Sequence, residues 1–517
     1  MRFSFSREAG AALACAAILV ATSCDNAVEP TTQLPPLEAA SLDQTAGGWR
    51  MIALTGPAQF TVAVPGTILS AAYGVELDAV KTAQANLTSA QRRAIGYWGG
   101  GGVLRWNEIT RELVARYNLP PAPRADGTYP APDAENPFGD PKFPFANPAY
   151  AARAYSYVSA AQYDALKSAW YWKFQYNRPS PAKIDAGVQA LVPISDLPAY
   201  PNEDAVISGV TADLLKVLFP AAVEEITLKA AEQRNAALWS GKATASGINT
   251  GLLLGKSVAA VFVARAAGDG LRNAAGTTAQ WQALADAAVS RGEIAWVSQE
   301  LPKRPPMLPF FGQVRAWNMT PADIVAERPA PPPSTSSAQM KAEVAEVRST
   351  IQNLTREQLG IALKWNDGAG SYTPPGHWNL IASEQIRDAR MSEVRAARSF
   401  ALLNMAMHDA AVGCWEAKFT YYNPRPSQMD ASIRTPIGLP NFPSYTSGHS
   451  TFSAAAAAIL SYLFPSGAAN FAVMRDEAGI SRLYGGIHYP SDINAGKAHG
   501  ARIATYTLTF AQGDGAP

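Results

Sequence analysis

The chain has few cysteines and few histidines: three of the first and five of the second in 517 residues. Cys15 and Cys24 lie near the N-terminus and Cys414 stands alone in the body, so no disulfide framework is implied. Charge is also scarce. Asp, Glu, Lys and Arg make up 16%, and 43 basic side chains face 42 acidic ones, a formal net charge of +1. No global field draws such a chain to nucleic acid, and any anion site must be a local cluster. Beyond the N-terminus no stretch offers about 18 uninterrupted apolar residues, so the body is not expected to be a membrane bundle. The 48% of hydrophobic residues supply a core and argue against disorder.

The first residues, MRFSFSREAGAALACAAILVATSCDN, place Arg2 and Arg7 before an apolar run and then small residues. This pattern predicts a secretory leader over residues 1–23. Ala21-Thr22-Ser23-Cys24 resembles a bacterial lipoprotein box, so cleavage is expected before Cys24 with lipid attached there. The alternative is ordinary secretion with a cut nearby. The lipoprotein reading expects an exported protein held at the cell envelope, touching membrane only through its anchor. Residues 24–78 read as a tether and an irregular segment.

From Ala79 the pattern turns helical, with Ala149–Trp172 the clearest case. Residues 79–270 form a first helical half, 271–344 a connector with Pro-rich loops, and 345–512 a second helical half. Words recur between the halves. Asn86-Leu87-Thr88 with Gln91 and Trp98 matches Asn353-Leu354-Thr355 with Gln358 and Trp365, at 353 − 86 = 267. Lys173-Phe174 answers Lys418-Phe419, and Leu218-Phe219-Pro220 answers Leu463-Phe464-Pro465, both at 418 − 173 = 245. The expected fold is all-α: two pseudo-symmetric bundles of the four-helix type, from an internal duplication.

Chemistry-bearing residues gather in the second half. KFTYYNPRP carries Lys418 and Arg425, YTSGH carries Ser447, Gly448 and His449, and SRLYGGIHYPSD carries Arg482, His488 and Asp492. Three cations and two imidazoles can hold a tetrahedral oxyanion and do proton or nucleophilic chemistry on it. Ser447 or Ser450 can cap the helix that follows, and the Gly448 amide can donate to an oxyanion at that helix start. His449 then stands as an acid/base. Pro490 predicts a last helix with Asp492 in its first turn. There Asp492 either accepts from His488 Nδ1 and leaves Nε2 facing the pocket, or only complements the helix dipole. At offset 245 the first half has Asp204 for His449 and Ala243 for His488, so it reads as scaffold, with an anion site on Lys173 and Arg178 as a lesser option. His408 reads as core, His499 as helix surface, and His377 as a loop cap or a visitor to the site. Trp415 and Phe442 are candidate walls.

The three segments together resemble the signature shared by type 2 phosphatidic acid phosphatases and vanadium-dependent haloperoxidases. The flanks WNDGAGSYTPPGHWN, NFPSYTSGHSTFS and YGGIHYPSD are similar to the secreted bacterial haloperoxidase branch. That resemblance implies an all-helical enzyme in which Lys418, Arg425 and Arg482 hold the oxygens of vanadate or phosphate, helped by Ser447 and the Gly448 amide. It implies His488 as the ligand of the vanadate metal or, in a phosphatase, as the nucleophile. It makes His449 the acid/base and Asp492 the residue that orients His488. The implied substrates are hydrogen peroxide and halide with vanadate as cofactor, or a phosphate ester with no cofactor. Thr446 departs from the family's usual proline, and Asn423-Pro424 from bulky aromatics. A non-catalytic oxyanion-binding envelope lipoprotein is the third reading.

Overall fold

The computed structural model describes residues 34–129 and 144–517, and Cys24 with the expected leader lies outside them. The regular structure among the described residues is helical, with no strand. The first eight α-helices are α1 (Ala71–Ala85), α2 (Ser89–Gly99), α3 (Gly102–Tyr117), α4 (Pro148–Tyr176), α5 (Pro181–Ile184), α6 (Glu203–Leu218), α7 (Val223–Trp239) and α8 (Ala245–Ala267). Two follow in the connector, α9 (Thr278–Ser290) and α10 (Pro321–Ala326). The last eight are α11 (Ala338–Gln352), α12 (Arg356–Lys364), α13 (Thr373–Asp388), α14 (Glu393–Tyr421), α15 (Pro426–Met429), α16 (Gly448–Leu463), α17 (Ala468–Tyr484) and α18 (Pro490–Gln512).

The helix bounds recur. From α4 to α8 each helix has a counterpart from α14 to α18 whose first residue lies 245 later, as in 393 − 148 for α14 and α4. The words repeated in the sequence turn out to be helix ends. Thr88 and Thr355 are N-caps, and each exchanges hydrogen bonds with a glutamine three residues on, Gln91 or Gln358. Such a box satisfies two amides that the first turn leaves open and contributes about 1 kcal/mol. Phe219 and Phe464 end α6 and α16 with φ of −133°, and the proline after each opens a short 3₁₀ turn. Buried ion pairs recur as well: Arg153 to Asp269 at 2.6 Å, and Arg398 to Asp514 at 2.7 Å.

The long helices α4 and α14, 29 residues each, pack on one another at the centre. One continuous apolar cluster includes Trp106, Tyr157 and Trp170 from the first half and Trp378, Phe400 and Trp415 from the second. Polar groups in the seam are paired. Asn107 donates to Asn379 at 2.7 Å, Asn379 to Asn404 at 2.7 Å, and Asn404 to Ser159 at 3.3 Å. Buried amides left open would cost about 1–3 kcal/mol each.

Close helix crossings fix where the site lies. A Cβ on Gly500 of α18 would meet Thr451 O of α16 at 2.1 Å, and one on Gly255 of α8 would meet Val206 O of α6 at 2.3 Å. Only glycine lets these backbones approach. The stretch Ala245–Asn273 is long and apolar enough to cross a membrane by length and composition, which the search for uninterrupted apolar runs missed. Its Gly251 and Gly255 face lies against α6, so that side is taken up in packing.

His499 corrects the surface reading. It is 0% exposed and lies against Gly413 of α14. Burial pulls its imidazole down to about 3, so it stays neutral. Gly496, His499, Gly500 and Ile503 form the inner stripe of α18. Gly500→Ala is expected to lower stability by about 1–3 kcal/mol in urea unfolding, because the carbonyl opposite cannot move aside. An unchanged midpoint would contradict the crossing.

Candidate active site

The three sequence segments converge at one end of α14, α16, α17 and α18. Lys418 lies in the last turn of α14, which stops at Tyr421 because Tyr422 turns left-handed at φ 56° and Pro424 follows. Arg425 stands in the loop, as the residue before α15. Ser447 caps α16, its hydroxyl accepting from Ser450 N at 3.4 Å, so Ser447 and not Ser450 is the cap. Gly448 and His449 then occupy the first turn, whose amides have no helical partner. Arg482 lies in the last turn of α17, and Asp492 in the first turn of α18.

The three cations are almost wholly buried, at 0% for Lys418 and Arg425 and 1% for Arg482. Lys418 Nζ donates to the carbonyls of Pro443, Ser444 and Thr446 at 2.9, 2.9 and 2.5 Å. Burial pulls Lys418 down to about 7, while three acceptors ask for the three protons of its charged form. Arg425 donates to Phe442 O at 3.0 Å and Ile487 O at 2.8 Å, and its Nη2 has no partner. Arg482 donates to Ser481 Oγ at 2.8 Å and Ala362 O at 3.0 Å. Burial draws both guanidinium groups down to about 10, still charged at neutral pH.

His488 is held at both nitrogens. Asp492 Oδ2 stands 2.8 Å from Nδ1, and Arg425 Nη1 stands 3.0 Å from Nε2. Arg425 has only protons to offer, so Nε2 carries the lone pair and Nδ1 carries the proton. Burial, then Arg425 and Lys418, keep the ring well below its ordinary value and neutral. The same Asp492 oxygen accepts from Ser444 Oγ at 2.5 Å and from Tyr489 N at 3.2 Å. Asp492 therefore orients the imidazole and also closes the start of α18. Burial raises its carboxyl to about 6.

His449 is 14% exposed at its side chain, and its Nε2 has no hydrogen-bond partner. Burial and then Arg482 hold it well below the usual histidine range, as an unprotonated base. Asp367, which sequence reasoning left aside, stands beside it, together with His377, one of whose two expected roles was to approach the site. Asp367 Oδ2 is 3.9 Å from His449 Nε2, and both Asp367 oxygens lie 3.2 Å from His377 Nδ1. His377 stacks on Trp365 with ring centres 4.3 Å apart. Asp367 adopts φ 44°, and the Asn-Asp-Gly run in WNDGAG was the available signal for a left-handed turn there. Ser444 was the other omission, visible only as part of the flank before YTSGH. Phe442 is a wall residue, with its ring centre 4.9 Å from Lys418 Nζ and 5.1 Å from Arg425 Cζ. Trp415 lies behind it, at 5.1 Å between rings. His408 is core, as expected, 0% exposed with Nδ1 3.4 Å from Asp409.

Such a cage brings anion-binding groups, a neutral nucleophilic nitrogen and an unpaired base together among buried residues. Residues 398–515 match the model of the PAP2 superfamily. The C-terminal half carries a PAP2 superfamily domain. The matched residues include every cage residue from Lys418 to Asp492. No curated protein matches the sequence. Among solved structures, a bacterial vanadium-dependent iodoperoxidase aligns over 78% of this chain and 95% of its own, at TM-score 0.57 and 21% identity. Bacterial vanadium-dependent chloroperoxidase in its apo form covers 71% and 94% at TM-score 0.50 and 14% identity, and its holo form covers 77% and 97% at 0.50 and 12%. At these identities the likeness is one of fold, and it extends through both halves.

The PAP2 cage makes a charge prediction. A proton on Lys418 favours an anion, so sulfate, whose own charge is constant from pH 6 to 9, should bind more weakly as pH rises above about 7. The fall should approach tenfold per unit until the pKa of the complex is reached. Calorimetric affinities that stay flat across this range would contradict it.

Proposed function

We propose that the protein is a vanadate-dependent haloperoxidase-like enzyme, oxidising halide with hydrogen peroxide. The observation that carries this reading is His488, whose lone-pair nitrogen faces into a cage of three buried cations while Asp492 holds the other nitrogen. The fold of the peroxidases named above supports it across both halves.

The residues present fit a tetrahedral oxyanion. Arg425 Nη2 and His449 Nε2 are buried and unpaired, and both would gain a partner from bound oxygens. Arg425 and Arg482 would hold those oxygens, with Ser447 and the Gly448 amide adding hydrogen bonds, and Lys418 would add its charge and turn one N–H to an oxygen by releasing one of its three carbonyls. His488 Nε2 would ligate the metal of vanadate. Bound there, vanadate supplies Lewis-acid activation of peroxide toward a halide. His449 Nε2, neutral and unpaired, takes the proton that an incoming peroxide must lose. Asp492 keeps the proton on His488 Nδ1 and so keeps Nε2 basic. Phe442 excludes water from the Lys418 and Arg425 side.

A second reading uses the same groups. With phosphate in the cage, the neutral Nε2 of His488 is a nucleophile for phosphorus, and the PAP2 match supports that phosphomonoesterase reading equally. We also infer that the halves arose by internal duplication, which the shared helix bounds support. The leader and Cys24 support export and a lipid anchor at the cell envelope.

Protein lacking residues 1–24, given vanadate, peroxide and bromide with a halogen-acceptor dye, is expected to brominate. Ester hydrolysis without bromination would transfer the assignment to the phosphatase. In either assay His449→Ala should reduce turnover on the order of 10²–10⁴-fold. Asp492→Asn should reduce it comparably while sulfate binding stays within a few-fold, because it loses the tautomer and not the cations. Parallel losses in turnover and sulfate binding would show that Asp492 only holds α18 in place.

A further inference from the structure

The first half keeps the scaffold of the cage and reverses its chemistry. At the offset of 245, Lys173 corresponds to Lys418, but Ser180 stands for Arg425, Ala237 for Arg482 and Ala243 for His488. Glu203 and Asp204 replace Gly448 and His449 at the start of α6. Three large side chains have become small, and two carboxylates have entered. A cavity of about 310 Å³ lies at that place, lined by Ser180, Glu203, Asp204, Ala237, Lys242 and Glu393 among others. It has room for about ten waters.

An anion does not suit this cavity. Lys173 Nζ is taken by Glu203 at 2.7 Å and by the Pro198 carbonyl. Arg178 lies over the rings of Tyr73 and Tyr200, at 4.6 and 5.4 Å, and not in the lining. The lesser option of an anion site on these two residues is therefore set aside.

Charge and shape point the other way. Lys242 bridges Glu203 at 3.2 Å and Asp204 at 2.7 Å, so with Lys173 two ammonium groups face Glu203, Asp204 and Glu393, while the exposed Glu38 adds a fourth carboxylate to the lining. Glu393 is the unmatched one. Its oxygens accept only from the amides of Gly102 at 2.5 Å and Val103 at 3.0 Å. Burial and then Asp204 raise it to about 7, against the opposing pull of Lys242, which is already paired with Glu203 and Asp204. Ser180 is 5% exposed, and its hydroxyl has no partner. Trp98, Trp170, Val192 and Leu197 give the rest of the lining an apolar wall.

We propose that this cavity is a second, non-catalytic binding site for a small organic amine with an apolar body. Its ammonium group would face the carboxylates Asp204 and Glu393 and the Ser180 hydroxyl, and its hydrocarbon part would lie on the tryptophan side. A positive charge offsets the excess of carboxylates that the two lysines leave. The site does not depend on which reaction the PAP2 cage performs.

The test is calorimetry on the chain lacking residues 1–24, with phenethylamine, phenethyl alcohol and hydrocinnamate as probes of similar shape. The amine is expected to bind, the alcohol at least tenfold more weakly, and the carboxylate not at all. Asp204→Asn should weaken the amine at least tenfold, and Ser180→Leu, which fills the cavity, should abolish binding while thermal unfolding stays cooperative. No binding of the amine at millimolar concentration would overturn the proposal. So would equal binding of the three probes by the wild type, or amine binding that survives Ser180→Leu.

Discussion

Three buried cations in one recess constrain this molecule more than any other feature. Lys418, Arg425 and Arg482 are all within 1% of complete burial. Taking such groups out of water is costly unless each finds acceptors. Helix interiors supply few, since their carbonyls are spent internally, and only Arg482 uses one, Ala362 O in the last turn of α12. The acceptors are carbonyls of irregular segments: Pro443, Ser444 and Thr446 for Lys418, and Phe442 and Ile487 for Arg425. Those segments lie between α15 and α16 and between α17 and α18. The close glycine crossings of α16 on α18 bring the two segments together. Asp492 joins them, accepting from Ser444 of one and from His488 and Tyr489 of the other.

The first half shows what the scaffold does without that constraint. Its helices α4 to α8 have the lengths of α14 to α18, and it has the same capping glutamine and the same buried Arg–Asp pair. Where the cage carries arginine and histidine it carries serine, alanine and carboxylates. The helical frame thus tolerates either sign of charge at the end of its central helix, provided the buried groups are paired. Polarity of the ligand is a property of about six side chains, and the fold is indifferent to it.

Much of this was legible in the sequence. Helix patterns and repeated words located both halves because those words are caps and stops, which act locally. The cage was legible because its cations and imidazoles fall in three short segments that together resemble a family signature. What the sequence hid depends on distant packing. His499 looked like surface until Gly413 of α14 was found opposite it. Asp367 comes to His449 from 82 residues away, at 449 − 367, through a loop with no period of its own. Ser180 and Ala237 carry no signal as a cavity, since small residues announce an empty space only when their neighbours are known.

The central claim is that Lys418 to Asp492 form an oxyanion cage in which His488 Nε2 meets the bound atom. A crystal structure of the protein soaked in orthovanadate tests it most directly. The account predicts vanadium density bonded to His488 Nε2, with its oxygens on Lys418, Arg425 and Arg482. Vanadium elsewhere, or density in the recess that leaves His488 still paired with Arg425, would contradict it.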